Sequence, residues 1–334
     1  MKDKEIKQGK GMKRRSFLKW SGASILSTSL LSNARIALGL GDIETKDYWH
    51  LNAEGKEYCV HDTVNTSKLD DGIIWAKVDG WWCRYKISDL DEKFMEWYLE
   101  EKLLRYEDME KGSMWWGGHH HPAVATYGNR RGRGDSSFHL NNTTKGVGIV
   151  PKYEKLVEIN KYIEDHQDLS GTEVLGYLKS IYSDPEIWDP TKLMSIEYYT
   201  KNPDLMRVTG YKETHTFLNM MENPIANLCF LAVWRTNYAN EIRTIPYLID
   251  LENPNLTEEE IQYAKYPNYL YTWYHKEQVG SQYIACYYHV IEEFSQGTLS
   301  SDSNAEGRGV RIVPPPPHWI VKLKDGFNKL FARA

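Results

Sequence analysis

The stretch from residue 193 to 294 restricts the fold more than any other part of the chain. Five runs there are dense in apolar, aromatic and β-branched residues: Leu193–Tyr199, Leu205–Thr209, Ile225–Trp234, Ile242–Ile249 and Tyr283–Phe294. Turns such as Asn202-Pro203-Asp204 and Asn223-Pro224 divide them. Side chains of this kind fit a pleated, half-buried surface, and Asn, Asp and Pro set the turns between strands. The region is therefore predicted as β structure. One helix interrupts it, Leu256–Lys265, with Thr257 as N-cap and Glu258 to Glu260 in its first turn. No internal repeat is visible.

The rest of the chain mixes strands and helices. Tyr58–Val60, Ile73–Val78 and Trp81–Ile87 are strand-like, and Asp79-Gly80 is a hairpin turn. Residues 90–111 read as a charged amphipathic helix carrying Phe94, Trp97, Tyr98, Leu103 and Leu104. Ala123–Tyr127 reads as a strand before a glycine- and arginine-rich turn that ends at Gly134. Pro151–His166 and Thr172–Tyr182 read as helices. The tail from about 300 is polar, passes Pro314–Pro317, and ends in a basic amphipathic stretch with Ile320, Leu323, Phe327, Leu330 and Phe331. That stretch is predicted as a helix which packs on its own or a partner's domain, or rests on an anionic membrane surface.

Charge and composition exclude several classes. Net charge is -5, with the basic excess confined to the ends, so no extended basic face for nucleic acid is expected. No stretch after residue 39 has the length and apolarity of a membrane span. Cys59, Cys83, Cys229 and Cys286 form no Cys-x-x-Cys, which leaves zinc ribbons, ferredoxin-type clusters and c-type haem without support. Cys59 and Cys83 are the nearest pair for a disulfide, and free buried thiols fit equally. His-Glu-x-x-His, Glu-x-x-His, Gly-x-Ser-x-Gly and the Walker A pattern are all absent. Aromatic content is high, with 12 Trp and 23 Tyr. The doublets Trp81-Trp82, Trp115-Trp116 and Tyr287-Tyr288 suit packing, or a stacking wall for a flat cofactor.

Residues 13–19 read Lys-Arg-Arg-Ser-Phe-Leu-Lys. The apolar, Ser- and Ala-rich Trp20–Leu31 follows, then small residues around Ala37-Leu38-Gly39. This arrangement resembles the twin-arginine translocation (Tat) signal of bacteria and archaea, with Arg14 and Arg15 as the pair. The resemblance implies a signal peptide over 1–39 and export of a folded chain by the Tat translocase. It also implies a periplasmic or other extracytoplasmic location, with a bound cofactor as a common reason for that route. Ser21, Gly22, Ser24, Ser27 and Ser29 make the apolar run too polar and too short for a permanent span.

The block from Leu205 to Asn223-Pro224, followed by Ile225 to Trp234, resembles one element of the FMN-binding split-barrel family, which includes the pyridoxamine 5'-phosphate oxidases. The family pattern is a strand, a hydroxyl- and cation-bearing turn, a helix ending near Asn-Pro, and a hydrophobic strand. The resemblance covers roughly 195–295 and implies an α+β, mainly β fold: a six-stranded split β-barrel with peripheral helices and an extra N-terminal segment. The expected organisation is a segment of unknown role at 40–115, a barrel-like domain at 116–299 with a helical insertion at 145–190, and a tail at 300–334. The implied function is an FMN-dependent oxidoreductase, as a homodimer or with a redox partner subunit. Lys212, Thr214, His215 and Thr216, just before the helix at Phe217, are the types that bind a phosphate dianion at a helix start, and Arg243 could add a bidentate contact. The same residues also suit a plain cap, with Thr214 closing the helix and His215 exposed. The chain departs from the family where it has His215 or Thr216 in place of Lys or Arg, and in its long 135–193 segment. Two alternatives stand beside FMN. One is a non-catalytic subunit exported with a redox enzyme. The other is a haem or metal protein, with His119 and His121 as ligands, or with His215 or one of His119, His120 and His121 on haem iron. Residues 119–121 also read as a surface loop.

Overall fold

A computed structural model describes residues 48–113, 118–128, 138–198, 200–201, 207, 212–232, 238–275, 283–296 and 309–315. The expected signal peptide, the Trp115-Trp116 doublet, the turn at 129–134 and the C-terminal amphipathic stretch lie outside them. So does the expected strand Leu205–Thr209, except Arg207, whose backbone is helical.

In chain order the elements are β1 (Trp49–Leu51), β2 (Glu57–Cys59), β3 (Val64–Asn65), β4 (Ile73–Val78), β5 (Trp81–Lys86), α1 (Glu92–Glu110), β6 (Ala123–Tyr127), β7 (Leu140–Thr144) and β8 (Gly148–Pro151). There follow α2 (Tyr153–Asp165), α3 (Gly171–Tyr182), β9 (Trp188–Glu197), α4 (His215–Glu222), β10 (Ala226–Ala232), β11 (Tyr238–Ile249), α5 (Glu258–His275), β12 (Ile284–Ser295) and β13 (Val310–Val313). The fold is α+β and its strand pairs are antiparallel. The main sheet runs β7-β6-β10-β11-β12-β9-β8, with β13 also on β12. The expected six-stranded barrel is thus an eight-stranded sheet, and β7 and β8 end its order without pairing to each other. Strands β1, β3, β7, β8 and β13 escaped the sequence reading, and for β7 and β8 the reasons are local. Strand β7 is Leu-Asn-Asn-Thr-Thr and lacks apolar alternation. Strand β8 is four residues in the segment expected to be a helical insertion, yet it pairs with β9 in the main sheet.

The helices form where capping and periodicity agree. Asp91 caps α1 by accepting from the Lys93 N–H, and Phe94, Trp97, Tyr98, Leu99 and Tyr106 bury one side of it. Leu156, Ile159, Asn160 and Ile163 bury α2 at helical spacing. Ser170 and Glu173 close a capping box on α3. Helices α2 and α3 pack on α5, and α1 packs on α3.

Helix α5 runs past the expected end at Lys265 and carries Pro267 in its interior. Proline has no N–H, so the carbonyl four residues back, Tyr263, loses its helical donor. The Tyr287 hydroxyl of β12 supplies the replacement, donating to the Tyr263 carbonyl at 2.7 Å. Asn268 adds a second tether, donating to the Ala264 and Tyr283 carbonyls and accepting from the Tyr283 N–H. The breaker is offset by tertiary contacts that a local reading of the sequence does not contain.

Residues 48–90 share the core of the sheet. Tyr48, Cys59 and Leu90 belong to the main hydrophobic cluster, and Val64, Ile74 and Ala76 pack with Ile245 in a smaller one. This segment also completes the C-terminal end of α4. The last carbonyls of a helix lack internal donors. Here His61 Nε2 binds the Met220 carbonyl at 2.9 Å and the Thr63 hydroxyl donates to the Met221 carbonyl at 2.9 Å. His61 Nδ1 accepts from the Leu248 N–H at 3.0 Å, which makes Nε2 the protonated nitrogen. All four cysteines are free, so Cys59 and Cys83 do not pair. Cys59 sits in β2 opposite Trp49 and Cys83 in β5 opposite Ala76.

Two interactions of this core give measurable expectations. Removing the Tyr287 hydroxyl leaves a buried carbonyl without a donor, so Tyr287→Phe is expected to cost about 1–3 kcal/mol in chemical denaturation. In a Pro267→Ala background the restored N–H makes that cost fall, and equal costs in both backgrounds would refute the pairing. Glu293 is fully buried, accepting from Asn240 and from the Asp91 N–H. Burial pushes its carboxyl up to about 7, against the hydrogen bonds from the Asp91 N–H and Asn240, which favour the charged form. A raised carboxyl favours the protonated form, so its stabilising contribution is complete below the ordinary value and is lost as pH rises through 7. Between pH 5 and pH 8 the stability of the native chain relative to Glu293→Gln is expected to fall by about 3 kcal/mol. A difference that stays flat across that window would show that Glu293 titrates normally.

Candidate functional site

The turn before α4 is where the family resemblance places a phosphate. Thr214 is the N-cap of α4, its hydroxyl accepting from the Phe217 N–H at 3.1 Å. The same hydroxyl donates to Glu197 at 3.3 Å. Glu197 is fully buried and pairs with Lys145 at 2.5 Å. Lys212 pairs with Glu57 at 2.5 Å and lies 3.6 Å from the centre of the Trp49 ring. Trp49 stacks on Phe217 at 5.5 Å and donates its ring N–H to Glu213 at 2.7 Å. His215 opens α4 and is half-buried, while Thr216 is buried and accepts from Asn141 at 2.7 Å.

As folded, this turn does not suit a phosphate dianion. Three carboxylates, Glu57, Glu197 and Glu213, hold its polar groups, and Lys212 faces one of them. Arg243 is not gathered to the turn by any contact. It sits on β11, half exposed, paired with Glu241 at 2.9 Å and Glu292 at 3.4 Å and lying over the Phe294 ring. The two cations expected on one anion are held by different acids.

A second cluster lies between α1 and residues 118–122. The His121 N–H donates to the Gly118 carbonyl at 2.9 Å, and Gly118 has φ +119, a conformation that favours glycine. That turn lets neighbouring imidazoles meet, which a regular strand forbids. His119 is buried with its ring edge-on to Tyr98 at 5.0 Å. His120 lies 5.1 Å from His119 and 4.0 Å from His121, centre to centre. The surface-loop expectation is therefore corrected for His119, which packs against Trp97 and Tyr98 of α1, while His120 and His121 are half-buried beside it. His120 Nδ1 and His121 Nδ1 are buried without a hydrogen-bond partner. Among the described residues, no group of three or more His, Cys, Asp or Glu side chains is placed to hold a metal ion.

Lys102 completes the cluster from α1. Its ammonium lies 5.3 Å from the Tyr106 ring and 5.5 Å from the Tyr182 ring, and among the described residues it has no ion-pair partner. Burial, then repulsion from Arg105, brings its amine down to about 8. Burial and the Lys102 charge also push His120 well below the ordinary imidazole range and lower His121, which favours the neutral rings. The Lys102 charge suits an anion, and the open Nδ1 atoms of His120 and His121 suit a metal or a hydrogen bond. Sequence reasoning missed Lys102, Glu57, Glu197 and Lys145. One signal for Lys102 was present: it stands four residues after Tyr98 and four before Tyr106, on the aromatic side of α1.

No protein-family model and no curated protein matches the chain. Among solved structures, it is similar to the crystal structure of Group A Streptococcus HupZ, at 12% identity, covering 57% of this chain and 89% of that one with a TM-score of 0.28.

Proposed function

We propose that the chain is an exported, split-barrel-like protein that binds an anionic redox cofactor, and that haem is the cofactor best suited to the cluster at Lys102, His120 and His121. The observation that carries this reading is Lys102: a partly buried ammonium with aromatic neighbours, no carboxylate, and two imidazoles whose Nδ1 atoms lack partners. A cation in such surroundings is costly unless an anion joins it. A haem propionate would supply the anion, and His120 or His121 offers a nitrogen for the iron. When bound, haem supplies one-electron or oxygen chemistry, and the protein sets orientation and electrostatics. Folding before export, as the Arg14-Arg15 motif suggests, agrees with a cofactor inserted in the cytoplasm.

The FMN reading is the second one. It keeps the order of cap, short helix, Asn223-Pro224 and strand seen at α4 and β10, and it requires the Lys212–Glu57 pair to open.

An absorbance spectrum of the natively exported protein, followed by titration with hemin, separates the two. A Soret band is expected, with Lys102→Met weakening hemin binding roughly tenfold to a hundredfold and His120→Ala with His121→Ala abolishing the band. A flavin spectrum that disappears in Lys212→Ala plus Arg243→Ala, and strengthens in Glu57→Gln, would replace haem by FMN. A colourless protein with no hemin affinity would overturn both.

A further inference from the structure

The β4–β5 hairpin has two unlike faces. Ile74 and Ala76 are fully buried against Val64 and Ile245, and Val78, Tyr85 and Ile87 pack beside them. The opposite face follows from the register. Ile73 stands across from Lys86, Trp75 from Arg84, and Lys77 from Trp82. Two indoles and three cations therefore alternate on one exposed surface. Among the described residues Lys77, Arg84 and Lys86 have no ion-pair partner, although the chain carries a net charge of -5.

The end of the hairpin adds a further indole. Asp79 and Gly80 both have positive φ, 50° and 85°, which fits the tight turn that a right-twisted hairpin needs. Trp81, next to that turn, is 78% exposed and Trp82 is 48% exposed. The tip is held rather than loose: the Asp79 N–H donates to Asn223 at 2.9 Å and the Tyr127 hydroxyl donates to Asp79 at 2.8 Å. A fixed tip that exposes large indoles to water carries an unfavourable hydration term which a core or a partner would remove.

We propose that the outer face of β4–β5 is a docking surface for an anionic phospholipid bilayer, with Trp82 of that face and the exposed Trp81 of the tip, across from Val78 on the other face, at headgroup depth and Lys77, Arg84 and Lys86 on the lipid phosphates. Charge complementarity selects this occupant. Indoles favour the membrane–water boundary, where the ring is apolar and its N–H is wet. Lysine and arginine beside them add attraction to acidic headgroups that salt screens. Among the described residues no helix is long and apolar enough to cross a membrane, so the attachment is peripheral.

The test is co-sedimentation of the full chain with vesicles of phosphatidylcholine alone and of phosphatidylcholine with phosphatidylglycerol. Lys77→Glu with Arg84→Glu and Lys86→Glu is expected to lower partitioning onto the anionic vesicles roughly a hundredfold. Trp81→Ala with Trp82→Ala should lower partitioning on both vesicle types and lose the blue shift of tryptophan emission. Lys155→Glu with Lys161→Glu and Lys179→Glu changes net charge equally on α2 and α3 and is expected to leave binding intact. All variants share residues 1–47, so their differences report the hairpin. Thermal unfolding checks that each variant folds, and these side chains are outward-facing. Equal loss in the α2–α3 control, or no loss in the hairpin variants, would overturn the proposal. So would hairpin-dependent binding to heparin or to single-stranded DNA without binding to vesicles.

Discussion

Everything around α4 depends on how its two ends are satisfied. An eight-residue helix is too short to be stable alone, because nucleation costs more than so few internal hydrogen bonds return. Its Met220 and Met221 carbonyls are bound by His61 and Thr63. Its first turn is closed by Thr214 and covered by the Trp49 ring on Phe217. His61, Thr63 and Trp49 all come from residues 48–63, so the N-terminal segment and the α4 turn are one unit. The buried Asp250 reinforces the unit, accepting from the Cys59 N–H and pairing with Lys201.

That arrangement changes what the turn can bind. Thr214, His215 and Lys212 are the residue types of an anion site, yet Glu57, Glu197 and Glu213 stand where an anion would compete. A paired cation attracts a further anion only by exchanging its partner. Lys102 has no partner to exchange, and the two clusters therefore differ in readiness although both contain a lysine, a histidine and an aromatic ring. The outer face of the β4–β5 hairpin repeats this logic at the surface, where cations stand beside indoles without acids.

Elements with strong local signals were legible in the sequence. The Asp79-Gly80 hairpin, α1, α2, α3 and the strands around 123–127, 226–232, 238–249 and 284–295 all follow from periodicity, turn residues and caps. Strands β7 and β8 were not, since Leu140–Thr144 is mostly polar and Gly148–Pro151 is short. Their pairing is decided by β6 and β9, not by their own composition. The end of α5 was misjudged at Pro267 because the compensating donor, Tyr287, is twenty residues away along the chain and on a strand. The histidine run was read as a surface loop, whereas the turn at Gly118 brings the three rings edge-on and tilted against one another and buries His119.

By itself, then, the chain determined its class: β-rich runs broken by Asn and Pro, with capped helices between them, fold as α+β because each signal acts within a few residues. The residue types available for binding were equally plain. Which of them are free to bind was decided only by the tertiary structure. Glu57 reaches Lys212 across 155 positions and Glu197 reaches Lys145 across 52, while no acid reaches Lys102. Electrostatic readiness is a property of pairs, and in this chain the decisive pairs are formed by the fold, at separations that no local pattern encodes.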